Sequence, residues 1–315
     1  MIRYLTQKQL DKNKWDHCIR HAFNGNIYAF SWYLDRVHPE WEALVEDDYV
    51  RIMPLTGAKK FGIGYLFQPF FTQQLGIFST TILNAEVCDN FLLHIPDKYR
   101  FAQIQLNSHN HPSPEKWHTE LKSNFLLDLI RDYRKLYGKY NSNTKRNLKK
   151  AQQSGISISA GLKPELLVNL FRQNKGKQIG HWKSQHYQRL TRLMYEAMAH
   201  NAGEIYGAYS DRNELCAAAF FMKTERVTTF LFSATNPLGR QTGAMTLIID
   251  TVIKQVASTE KMLDFEGSNN PELARFYKGF GAREEKYIFL EINRLPFVIK
   301  QFKEAKDWLK KRFMK

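Results

Sequence analysis

The chain is poor in cysteine: Cys18, Cys88 and Cys216 are the only three in 315 residues. They are far apart, odd in number and never in a CxxC pair, which argues against a disulfide framework or a structural zinc site. Reduced thiols of a cytoplasmic protein are the expectation, with no metal. Long apolar runs are also missing. IYAFSWYL and AAAFFM break off within a few residues, too short to cross a bilayer. The opening MIRYLTQKQLDKNKW has no apolar core and no small-residue cleavage site, so no signal peptide is expected. No repeat or low-complexity tract is visible. Acidic residues are outnumbered, 31 against 46 basic ones, for a net charge of +15. That excess suits phosphate-rich partners such as coenzyme A, nucleotide-linked sugars, tRNA or an anionic membrane face. A lysine-rich solvated surface accounts for it equally.

What is present is enough apolar material for real cores, 43 % hydrophobic and 14 % aromatic residues, so global disorder is excluded. The length exceeds one ordinary domain and suits two. In the first part, Leu10, Trp15, Cys18, Ile19 and Ala22 recur at helical spacing. WEALVEDDYVRIMPL reads as two strands around an acidic turn, Glu46-Asp47-Asp48. FAQIQLN reads as a strand, and LLDLIRDY fits strand or helix. Ser142 or Asn143 can cap a helix from about Thr144 that Gly155 ends. Lys145, Arg146, Lys149 and Lys150 spread positive charge over it.

The second half is better ordered. Two helices, KPELLVNLFRQNKG and HYQRLTRLMYEAMAHN, precede the strands EIYGAYS, ELCAAAFFMKT and RVTTFLFSATN. A helix over 243–257, the strand KMLDFEGS, the short helix NPELARFYKGFG and the strand EEKYIFLEI follow. After Pro296 comes a basic amphipathic helix, FVIKQFKEAKDWLKKRF. The sum is α/β (α+β), with mostly antiparallel strands between helices.

Two stretches carry chemistry. Arg240-Gln241-Thr242-Gly243-Ala244 follows a strand and opens a helix, where backbone N–H groups can hold a pyrophosphate and Arg240 can add charge. A plain polar loop with a helix-starting glycine reads equally well. In NNPELARFYKGFGA, Tyr277 brings a phenol, a residue type able to take part in proton transfer. Phe276, Tyr277 and Phe280 are also the apolar face of a short helix.

This order of elements resembles the GNAT N-acyltransferases. The (R/Q)-x-x-G-x-(G/A) loop is matched by residues 240–244, with Met245 where a small residue is usual. Asn270, Ala274, Tyr277 and Gly281 match the second motif, with Ala282 in place of the usual Phe. YNSNTKRNLKKAQQSGISIS followed by a helical pair resembles the Fem-type branch of tandem GNAT-like domains. The resemblance implies a degenerate domain over 1–140, an acyltransferase domain over 141–293, and a C-terminal helix over 294–315 that packs back on the first domain. It implies acyl-coenzyme A as co-substrate, with no tightly bound cofactor, and Arg240, Gln241, Thr242, Gly243, Ala244 and Asn270 around it. Aminoacyl-tRNA is the alternative donor, for peptidyl transfer to a cell-wall precursor. A non-catalytic scaffold is a third reading.

Direct attack of an amine on the acyl group needs a base, an oxyanion donor and an acid. Glu266, at the end of a strand, is the candidate base, and a solvated carboxylate is its plain alternative. A backbone N–H at Ser233 or Ala234 is the oxyanion candidate, where two strands splay. Tyr277 is the acid. His181 and Trp182, in the loop after the first helix of the second half, are candidates for contact with a small-molecule or peptidyl amine. The basic helices offer a surface for tRNA or an anionic membrane, or are solvated faces.

Overall fold

The computed structural model describes residues 1–301 apart from His181, Ser268 and Val298. The chain falls into two compact units. One holds Met1–Gly25, Glu40–Leu121 and the chain from Tyr287; the other holds Asn26–Pro39 and Lys122–Lys286. These differ from the expected boundaries after 140 and 293. The difference is clearest at 26–39, whose apolar face is used up within the second unit. The basic C-terminal helix expected over 294–315 lies largely outside the described residues.

The elements of the chain begin with β1 (Ile2–Leu5) and α1 (Lys12–His21). Asp11 caps α1 by accepting the Asn13 and Lys14 N–H groups, and α1 buries Trp15, Cys18 and Ile19, the face anticipated from spacing. α2 (Ser31–Val37) belongs to the second unit. Next come β2 (Glu42–Glu46), β3 (Arg51–Leu55), β4 (Gly57–Lys60), β5 (Ile63–Leu66), β6 (Phe78–Ser79), α3 (Ala85–Leu93) and β7 (Tyr99–Gln105). β2 and β3 pair antiparallel around the acidic turn. β1-β2-β3-β6 form one sheet of the first unit. β4, β5 and β7 line up beside each other, and β14 (Arg283–Asn293) joins β7 antiparallel from Phe289 to Asn293. Leu44, Met53, Phe91, Ile104 and Leu290 are core residues here.

The second unit takes β8 (His118–Asp128) from Lys122 onward, so the undecided LLDLIRDY is strand as far as Asp128. α4 (Tyr133–Gly138) and α5 (Ser142–Gln153) follow. The cap of α5 is Asn141, one residue before the expected Ser142 or Asn143; its side chain accepts the Thr144 N–H. Gly155, at φ +65°, ends that helix as expected. β9 (Ser157–Ala160), α6 (Pro164–Gln173), α7 (Ser184–Ala199), β10 (Gly203–Tyr209), β11 (Leu215–Lys223) and β12 (Val227–Thr235) come next. α8 (Pro237–Thr242), α9 (Ala244–Val256), β13 (Met262–Asp264) and α10 (Pro271–Lys278) complete it. The sheet order is β8-β13-β12-β11-β10-β9. Each neighbouring pair is antiparallel except β12 and β13, which run parallel. α9 buries Ile248, Ile249, Val252 and Ile253 into the core. α2 lies on α7: Arg36 Nε donates to Glu196 Oε2 at 2.8 Å, Arg189 Nη1 donates to the Val37 carbonyl at 3.2 Å, and Trp32 stacks on His200. No helix among the described residues is long and apolar enough to cross a membrane.

Candidate active site

The sheet of the second unit opens between its two parallel strands. β12 and β13 pair only from Val227–Met262 to Thr229–Asp264. β13 then stops, while β12 runs on to Thr235. A bulge sits at the opening. Phe221 faces Phe230 across the ladder, but Phe220 faces Phe232, leaving Leu231 as an extra residue on β12. A bulge bends its strand and increases local twist, which carries β12 away from β13. Successive residues of a strand direct their N–H groups to opposite edges. One of Ser233 and Ala234 therefore aims its N–H at the opened edge, a position suited to an oxyanion. Ser233 is half-buried and Ala234 buried.

Asp264-Phe265-Glu266 closes the end of the opening. Glu266 has left-handed backbone geometry, φ +59°, which a non-glycine residue adopts at a cost of about 1–2 kcal/mol. Its N–H donates to Asp264 Oδ1 at 2.8 Å, and its carboxylate accepts a hydrogen bond from the Tyr28 hydroxyl. Burial pushes Glu266 up to about 8, Asp264 adds to the rise, and the Tyr28 bond opposes it. Burial likewise lifts Asp264 to about 6, opposed by hydrogen bonds from the Glu266 N–H and the Asn124 side chain. Glu266 is thus half-buried and held through both its backbone and its side chain, with its proton affinity raised toward neutral pH, which keeps it a candidate general base.

Tyr277 lies on α10 against the same strands. Its ring stacks on Phe265 at 5.0 Å and contacts Phe125 at 5.9 Å and Phe230 at 6.4 Å. The ring belongs to the core, and the hydroxyl feels the Glu266 and Asp264 carboxylates. Burial first, then those charges, hold the phenol far above its ordinary range. It stays protonated and can donate a hydrogen bond, but it is a weak source of a whole proton.

Trp182 packs over the bulged strand, 5.2 Å from Phe171 and stacked on Phe232 at 6.2 Å. Phe232 stands on β12 next to Ser233 and Ala234. His181 lies outside the described residues.

Residues 240–244 depart from the expected open loop. Asn236 accepts the Gly239 N–H at 2.8 Å, and Pro237 occupies the first helical turn. The segment therefore coils into α8, with Arg240, Gln241 and Thr242 in its last turn. Arg240 Nη1 donates to the Thr235 carbonyl at 3.1 Å, and the Thr242 hydroxyl donates to the Leu238 carbonyl at 2.9 Å. Gly243, at φ +78°, turns the chain from α8 into α9. A Cβ there would lie 2.7 Å from the Asn147 carbonyl oxygen of α5. Ala244 is fully buried. Asn270 caps α10, accepting the Glu272 and Leu273 N–H groups. Thr242, Ala244 and Asn270 are thus committed to the fold, whereas Arg240 and Gln241 are exposed beside the first turn of α9, which begins without a side-chain cap.

Two residues of this site were missed from sequence. Asp264 stood in the quoted DFEGS stretch, where a D-x-E pair closing a strand was a visible signal. Tyr28 had none, because its partner is 238 residues away.

The strand split thus places a bulged strand, a held carboxylate and a buried phenol in one region of the second unit. Residues 138–278 match the model of a family described as an acetyltransferase (GNAT) domain. The fold is shared along nearly the whole chain with solved structures. The crystal structure of FemX superposes with TM-score 0.66 at 10 % identity, over 91 % of this chain and 97 % of that one. L-PGS from Bacillus licheniformis gives TM-score 0.56 at 12 % identity, over 93 % and 95 %. A conserved protein of unknown function from Bacteroides thetaiotaomicron gives 0.56 at 9 %, over 92 % and 99 %. No curated protein matches by sequence. Residues 138–278 thus match a GNAT-type acetyltransferase domain, and the chain shares the fold of FemX.

Proposed function

We propose that the protein transfers an acyl group from an activated donor to an amine, by direct attack in the opening between β12 and β13. The observation that carries this is Glu266, held at the strand split and pushed up to about 8. The amine nitrogen attacks the carbonyl carbon and its proton passes to the Glu266 carboxylate. The N–H of Ser233 or Ala234 receives the oxyanion. The bond to the leaving group breaks, the Tyr277 hydroxyl donates a hydrogen bond to the departing atom, and the proton held on Glu266 passes to that atom through water, which restores the carboxylate. Trp182, stacked on Phe232, lines the acceptor side. His181 belongs to the same acceptor proposal. A small-molecule or peptidyl amine in a cytoplasmic setting completes it.

The donor reading is acyl-coenzyme A, its pyrophosphate resting on the uncapped first turn of α9 beside Gly243. A second reading has its own support. The α8 coil and the Asn147 carbonyl crowd that turn, and the charge of +15 favours a longer polyanion, so an aminoacyl ester of tRNA is the other donor. Calorimetric titration with acetyl-coenzyme A and filter binding with charged tRNA test both. Saturable coenzyme binding that Arg240→Ala weakens supports the first. Charged-tRNA binding that falls steeply with salt, without coenzyme binding, supports the second. Absence of both, together with no transfer from either donor, refutes the proposal.

A further inference from the structure

We infer that Tyr28 is a positioning residue of the transfer site, holding the Glu266 carboxylate from a segment that lies outside the GNAT-matching stretch. The inference rests on the reading of Glu266 as the base. Tyr28 stands on a single 3-10 turn, Ile27–Ala29, and is 2 % exposed. Tyr33 meets its ring edge-on at 5.7 Å. The turn leads directly into α2, which is fastened to α7 by the Arg36–Glu196 and Arg189–Val37 bonds and the Trp32–His200 stack. The phenol is therefore built in and not a passing contact.

Glu266 is held at both ends. Asp264 Oδ1 accepts its backbone N–H and Tyr28 donates to its side chain. The groups that face this carboxylate are Asp264 from β13, Tyr277 from α10 and Tyr28 itself, with Tyr33 from α2 beside the last. Asn124 of β8 and Glu285 of β14 act on Asp264. Burial and Asp264 favour the neutral acid, and the Tyr28 hydrogen bond opposes them. Burial and the Glu266 charge keep the phenol itself protonated, so its role is that of donor. Without it, Glu266 binds its proton more tightly and its base form is lost at working pH.

The direct test needs no substrate. The full chain, labelled with carbon-13 at glutamate carboxyls, is titrated by NMR, with Glu266→Gln assigning the Glu266 signal. In Tyr28→Phe the Glu266 midpoint should rise by about one to two pH units. A folded Tyr28→Phe protein with an unmoved midpoint overturns the inference. If Tyr28→Phe does not fold, 3-fluorotyrosine at position 28, a stronger donor of the same shape, should lower the midpoint, and an unmoved one again overturns it. Transfer assays then separate the two claims. Loss of transfer in Glu266→Gln, with the acid limb of Tyr28→Phe displaced upward, supports both. The same loss with an unmoved limb overturns the role of Tyr28 and leaves the base. Full activity in Glu266→Gln removes the base, and the NMR midpoint still decides whether Tyr28 holds the carboxylate.

Discussion

Replacing Glu266 by glutamine should stabilise the second unit at alkaline pH while abolishing transfer. An ordinary glutamate titrates near 4.5, and burial in this site carries Glu266 to about 8. A folded-state value above the unfolded one means the native protein binds the proton more tightly. Between those two values the unfolded chain has released a proton that the native protein keeps. Stability therefore falls as pH rises from about 4.5 to about 8, and stays lowered above. The full displacement would cost roughly 5 kcal/mol. Glu266 is only half-buried, and rearrangement of water around it reduces that to about 2 kcal/mol. Glutamine keeps the shape and can still accept from Tyr28, but carries no charge to desolvate. Urea unfolding at pH 5 and pH 9, followed by the fluorescence of Trp32 and Trp182 with the other tryptophans replaced, measures the difference. Near-equal stability at pH 5 and a gain of about 2 kcal/mol at pH 9 are expected. Equal stability at pH 9 would refute the argument that the carboxylate is desolvated. Wild-type transfer should in turn rise through an acid limb near pH 8.

Other perturbations separate packing from chemistry. Tyr277→Phe keeps the ring stacked on Phe265 and should lower kcat about 10- to 100-fold with little change in stability, whereas Tyr277→Ala should cost about 3–5 kcal/mol in urea unfolding. Gly243→Ala meets both a left-handed backbone and the Asn147 carbonyl, and should destabilise by about 1–3 kcal/mol; an unchanged melting temperature would count against the close approach of α5. In the first unit, Asp89 accepts from the Ser113 N–H at 2.9 Å, the Ser113 hydroxyl at 2.6 Å, Lys116 at 2.9 Å and the Trp117 indole at 2.8 Å. These bonds hold its carboxyl well below the usual range, against burial, so its contribution is present above about pH 4 and lost as pH falls through the folded value. Asp89→Asn should cost about 1–3 kcal/mol at pH 7 and flatten the acid side of the stability profile, which hydrogen exchange at residues 110–117 can follow.

Much of the architecture is written in local pattern. The period of α1, α6, α7 and α9, the glycine stop at Gly155, and the Asn270-Pro271 start of α10 each depend on neighbours within a turn, so sequence alone determines them. The order of elements and NNPELARFYKGFGA likewise sufficed for the GNAT-type match of residues 138–278. The same locality explains the misreadings. Residues 240–244 carry the spacing of a phosphate loop, but Asn236 and Pro237 just upstream supply a helix cap, and the cap prevails. Asn141 displaces Ser142 as the cap of α5 because only the residue with extended backbone, one place earlier, can turn its side chain back to the Thr144 N–H.

The site itself was decided by tertiary structure. Sequence could name Glu266, Tyr277, Ser233 and Ala234 as types of chemistry at suggestive places. It could not say that β13 stops at Asp264 while bulged β12 runs on, because strand pairing is a property of two segments and not of either. Nor could it bring Tyr28 to Glu266 across 238 residues. That contact depends on burying the apolar face of residues 26–39 in the second unit, and burial has no signature in sequence separation. The raised proton affinity of Glu266 follows from that burial.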